Sequence, residues 1–149
     1  MTAVDLVGRV VALLTTALAD MRLEPADGGA ARAPYLVAGW LAPPRADDET
    51  RPPLVLVRAP GGSDDEDATR TTILIVVELY SEDVAGWQDA TNVLQRSRGA
   101  LTQTRTLGPH HMELPLTWAL ADEQPQPTWI GTITTTWLSP RAEWLGETE

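Results

Sequence analysis

The stretch Thr71 to Tyr80 constrains the fold most, because Ile73, Leu74, Ile75, Val76 and Val77 follow one another without a polar break. β-Branched side chains are stiff in a helix and pack well on a pleated surface, so the run reads as a strand. A strand with no polar alternation has no solvent face, which predicts a central strand buried on both sides. The remainder of the chain must then supply a neighbour at each edge and covering layers.

Helical cover is expected from two segments. In residues 3–21, Leu6, Val7, Val10, Val11, Leu14 and Leu18 recur at three- and four-residue steps, the spacing that lines one helical face. Thr2 and Asp5 suit its capped, positive end. A second helix from about Val84 to Thr102 puts Trp87, Ala90, Thr91, Leu94, Arg98 and Leu101 on one side. Strands are expected at Tyr35–Leu41 and Leu54–Val57, with Pro60-Gly61-Gly62 turning the chain into an acidic loop. Met112 to Leu120 alternates with a period of two, and Pro115 within it requires an edge or a bulge. Trp129–Leu138 is the last strand, and 139–149 reads as an extended polar tail apart from Trp144 and Leu145. The order predicts an α+β fold: one small domain over residues 1–149, with a mixed, mostly antiparallel sheet of four to five strands and two helices packed on one face.

Composition excludes several kinds of chemistry. The 149 residues include no cysteine, and all 11 basic residues are arginine, so thiolate, disulfide and lysine chemistry are excluded. A net charge of -10 repels phosphate backbones, so specific nucleic-acid binding is not expected. No segment approaches the roughly 18 apolar residues of a membrane span. Val4–Leu18 does not read as a signal peptide, because Asp5 stands where basic residues belong and Arg9 interrupts the run. The protein is expected to stay where it is made, with no membrane association.

No catalytic, cofactor-binding or metal-binding residues are predicted. None of Ser63, Ser81, Ser97 and Ser139 lies in a nucleophile elbow. His110 and His111 are adjacent, so in extended backbone they point to opposite sides and are expected at a solvated strand start. Asp64, Asp65, Glu66 and Asp67 lack the spacing of a calcium loop and read as an exposed, mobile loop. With no phenylalanine, the six tryptophans carry most of the aromatic mass. Trp87 and Trp118 are expected in the core, with at least one of Trp129 and Trp137, which share a face.

Three segments resemble one family. They are PPLVLVRAPGG with the following TTILIVVELYSED (52–83), GWQDATNVLQRSRGAL (86–101) and LPLTWALADEQPQPTWIGTITTTWLSP (114–140). In order and texture they resemble the tail terminator, or tail-completion, proteins of long-tailed bacteriophages. The resemblance implies a structural virion protein at the tail–neck junction, assembled in the host cytoplasm, with no enzymatic activity. It implies a homohexameric ring on the head-proximal end of the tail tube, which stops tube growth and offers the head-attachment surface. The implied partners are further copies of the chain, the tail tube protein and a head-completion or connector protein, with DNA passing through unbound. Candidate inter-subunit or channel-facing residues are Asp64, Asp65, Glu66, Asp67, Arg96, Arg98, Trp144 and Leu145, together with the connection 45–51. A head-completion or other neck protein is the nearest alternative, and a small metal-dependent enzyme using the acidic cluster or the histidine pair is the more distant one.

Overall fold

The structure is a computed structural model that describes residues 2–41 and 51–141. Helix α1 (Ala3–Leu18) starts as its sequence predicts: the Asp5 amide donates to Thr2 Oγ1 at 3.2 Å. Its buried residues are Leu6, Val7, Val10, Leu14 and Leu18, the stripe read from the spacing except for Val11, which is only partly buried at its border. It ends three residues earlier than expected. Beyond Leu18, the Arg22 guanidinium takes up the Ala19 and Met21 carbonyls at 3.0 and 2.8 Å, which satisfies acceptors that a longer helix would have used.

The strands are β1 (Tyr35–Ala38), β2 (Leu54–Asp64), β3 (Ala68–Tyr80), β4 (Thr106–Leu107), β5 (His110–Leu120) and β6 (Thr128–Pro140), with α2 (Gly86–Gln103) between β3 and β4. They form one six-stranded sheet in the order β1-β2-β3-β6-β5-β4. The β1–β2 pair is parallel and the other pairs are antiparallel, so the sheet is mixed. The fold is α+β with two helices, but the expected four to five strands become six. The extra strand is β4, a two-residue piece that the turn at Gly108 folds back onto His110 and His111.

β3 is central and pairs with β6 along its whole length, from Ala68 opposite Pro140 to Tyr80 opposite Thr128. It is not buried on both faces. Ile73, Ile75, Val77 and Leu79 are buried, whereas Leu74, Val76, Glu78 and Tyr80 on the other face are half-buried. Both helices lie on one side: the core cluster joins the α1 stripe and Ala90, Val93, Leu94 and Leu101 of α2 to Val55, Val57, Ile73, Ile75, Val77, Trp129, Ile133 and Trp137. α1 covers β1 and β2, and α2 covers β3, β6 and β5. The aliphatic run therefore serves one packed face and two lateral neighbours.

Two corrections follow from backbone pairing. Gly61 and Gly62 do not turn the chain. The register shifts between Arg58 and Gly61 and β2 continues to Asp64, so the reversal falls at residues 65–67. A side chain at Gly62 would overlap the Arg70 carbonyl oxygen, so glycine here permits a close strand approach. The strand holding Pro115 is shifted in register between Glu113 and Thr117, as a residue with no amide donor requires. At the C-terminal end, Ser139 and Pro140 belong to β6 rather than to a tail, and Trp144 and Leu145 lie outside the described residues.

Candidate functional site

The acidic residues 64–67 close the β2–β3 hairpin. The Asp65 carboxylate accepts from the Asp67 and Ala68 amides at 2.9 and 2.8 Å and from Arg70 at 3.0 Å. These bonds, the amides foremost, hold its pKa below the ordinary carboxylate value. Asp64 accepts from the Thr69 hydroxyl at 2.6 Å. The first two acids thus build the turn, and what reads as a mobile loop is a structured hairpin end. Glu66 and Asp67 are exposed there, and their side chains make no hydrogen bond or ion pair with another described residue. The connection 45–51 is described only at Arg51.

The two arginines of α2 separate. Arg96 pairs with Asp20 at 2.7 Å, tying α2 to the end of α1 within the same chain. Arg98 lies over the Trp118 ring, 4.1 Å from its centroid, and its Nε is buried with no hydrogen-bond partner. With Gln95, Thr102, Leu114, Leu116 and Trp118 it lines a groove of about 580 Å³ between α2 and β5. The pair Trp129 and Trp137 is buried on one face with Ile133 between, as expected. Trp87 and Trp118 are not core residues: they are 47% and 44% exposed. A helical or strand period shows which side a residue takes, but not where the covering layer stops, and both tryptophans stand beyond that limit.

Sequence reading misses one cluster. His110 is 1% exposed rather than solvated, while His111 is exposed on the opposite side. His110 Nε2 lies 2.9 Å from Asp5 Oδ2 and Nδ1 lies 2.5 Å from Ser139 Oγ. An ionised carboxylate can only accept, so Nε2 carries the hydrogen donated to Asp5. Arg9 donates to the same Asp5 oxygen at 2.9 Å. The His110 and Arg9 bonds lower the Asp5 pKa, the His110 bond foremost. Three elements meet here, α1, β5 and β6, from residues 105 and 29 positions apart, so no local pattern announces them. The cluster ties α1 to the sheet end, with His110 and Ser139 buried and Asp5 and Arg9 partly exposed.

Glu78 is the one acid on the face of β3 that no helix covers, where it is half-buried and paired in register with the buried Leu54. Burial pushes its pKa up, and the charge of Arg58 pulls the other way. Among the described residues no three His, Asp or Glu side chains converge as metal ligands, and no helix is long and apolar enough to cross a membrane.

Neither any known protein-family profile nor any curated protein matches this chain.

Proposed function

We propose that the protein is a structural virion component of a long-tailed phage, forming a ring on the head-proximal end of the tail tube that ends tube growth and receives the head. One observation carries the reading: both helices cover the same sheet face, so that among the described residues no helix lies along either edge strand's outer side and the sheet ends at β1 and at the short β4 beside β5. A small domain that presents its sheet edges in this way is suited to repeated head-to-tail contacts. The net charge of -10 fits a passage through which DNA slides without sticking. The three resembling segments map onto β2–β3, α2 and β5–β6, the parts that build the covered face.

Electron microscopy of lysates from the encoding phage with this gene disrupted tests the reading. Abnormally long tubes without heads are expected. Normal-length tails beside separate filled heads would move the protein to the joining step, as a neck protein. Intact infectious particles would sink both readings.

A further inference from the structure

We propose that the groove between α2 and β5 is a docking site for an acidic, apolar segment of a partner protein, with Arg98 receiving its carboxylate. The chain carries 21 acidic residues against 11 arginines, so an arginine within it is well supplied with acceptors. Arg9, Arg70 and Arg96 pair with carboxylates, and Arg22, Arg32 and Arg105 donate to carbonyls. Arg98 does neither: among the described residues its guanidinium has no hydrogen bond and no ion pair, and its Nε is buried. Trp118 holds it instead, with the charge 4.1 Å from the ring centroid. Arg58 is laid over Trp40 in a similar way, but there Glu78 stands near enough to feel its charge. Arg98 has no such acid beside it among the described residues.

The groove sets the chemistry around that cation. Gln95, Arg98 and Thr102 recur at three- and four-residue steps, so one stripe of α2 forms a polar wall. The opposite wall is apolar and belongs to β5. Its pairing steps from Glu113 opposite Thr136 to Thr117 opposite Thr134, and the extra backbone between brings Leu114 and Leu116 to the groove. Pro115 offers no amide to an added strand, so recognition here falls to side chains. Leu114 and Trp118 are 56% and 44% exposed, so this wall stands out of the surface and does not enclose a small molecule, most of whose own surface a pocket would bury. A protein surface capping the groove covers both, and tryptophan and arginine are the side chains that dominate binding energy at such contacts. Charge decides which surface. A carboxylate meets a guanidinium through two parallel hydrogen bonds. It brings one negative charge to a chain of net charge -10, where a phosphate backbone brings many.

The inference does not rest on the tail reading. Two capped peptides probe it on the full chain, Leu-Glu-Leu-Glu-Leu and its counterpart with glutamine in place of glutamate. The readout is the Trp118 indole N–H signal in proton–nitrogen correlation spectra, identified as the signal lost in Trp118→Phe. The glutamate peptide is expected to move this signal saturably and to bind roughly tenfold tighter than the glutamine peptide, the worth of one charge-assisted pair. Arg98→Gln, which breaks no hydrogen bond or ion pair within the described residues, is expected to erase that difference. Gly99→Leu enters the groove from a position where an added Cβ meets nothing within 4 Å, and is expected to weaken both peptides roughly tenfold, the scale of one lost leucine contact. Circular dichroism and thermal melting check that both variants fold, and the comparison of peptides on the wild type stands without them. No saturable movement overturns the inference, as does equal binding of the two peptides. So does a glutamate preference that survives Arg98→Gln, or undiminished binding to Gly99→Leu. Octanoate binding tighter than the glutamate peptide would make the groove a small-carboxylate site, and movement of the signal on concentrating the protein alone would assign it to a second copy; either result overturns the inference. The gene disruption reads tail length and none of these shifts, so the two proposals fail separately.

Discussion

Asp5 does two things at once. Its amide is capped by Thr2 at the positive end of α1, and its carboxylate receives His110 and Arg9. Because these bonds lower its pKa in the folded chain, Asp5 contributes stability that is fully present above its ordinary value of 3.8 and is lost as pH falls through the lower folded value. Asp5→Asn is therefore expected to lower the melting temperature at neutral pH, with the gap to wild type closing below pH 3.8. Melting curves from pH 7 down to pH 2.5 check it, and a gap that persists or widens in acid would contradict the assignment. Glu78 has the opposite sign, since burial raises its pKa and charging it in the fold is costly. Asp5 and its thirdmost capping neighbour Thr2 were legible as a helix start; the bond from Asp5 to a histidine 105 residues away was not.

At the scale of elements, β2 shows how a local rule is overridden. Pro60-Gly61-Gly62 is turn chemistry by composition, yet the backbone stays extended because β3 offers a full partner strand and the extra length is absorbed as a register shift. The two glycines are not equivalent. A side chain at Gly61 meets nothing within 4 Å, whereas one at Gly62 meets the backbone of Arg70 and Thr71. Gly61→Ala is expected to be neutral or stabilising by up to about 1 kcal/mol, through the unfolded chain. Gly62→Ala is expected to cost roughly 1–3 kcal/mol, as overpacking against a strand that cannot retreat does. Urea unfolding of the two variants decides between this account and a turn, which would not distinguish the pair in this direction.

The molecule as a whole separates its tryptophans by role. Trp137 is fully buried and its Nε1 donates to Thr135 Oγ1 at 2.8 Å, while Trp129 Nε1 donates to the Ser81 carbonyl at 2.9 Å. Trp137→Ala leaves a cavity in the core and is expected to cost about 3–5 kcal/mol. Trp118→Ala removes an exposed ring beneath Arg98 and is expected to cost about 0.5–1 kcal/mol in folding. Equal losses in calorimetry would mean that Trp118 packs as core and that its edge is not a free surface. Placing the helices on one side of the sheet also decides what the other side is: Leu74, Val76 and Glu78 on β3, with Thr132 and Thr136 of β6, form a face without helical cover.

The α+β class, both helices, the centrality of β3 and the shared face of Trp129 and Trp137 could be read from the chain itself, because side-chain period and β-branching act over a few residues. So could the disturbance at Pro115, since a missing amide is a property of one residue. Tertiary structure alone decided that β3 has helical cover on one face only, that β4 exists, that Trp87 and Trp118 are exposed, and that Asp5, His110 and Ser139 meet. Each of these depends on where a distant layer ends or which remote strand arrives alongside, and periodicity carries no record of such long-range packing.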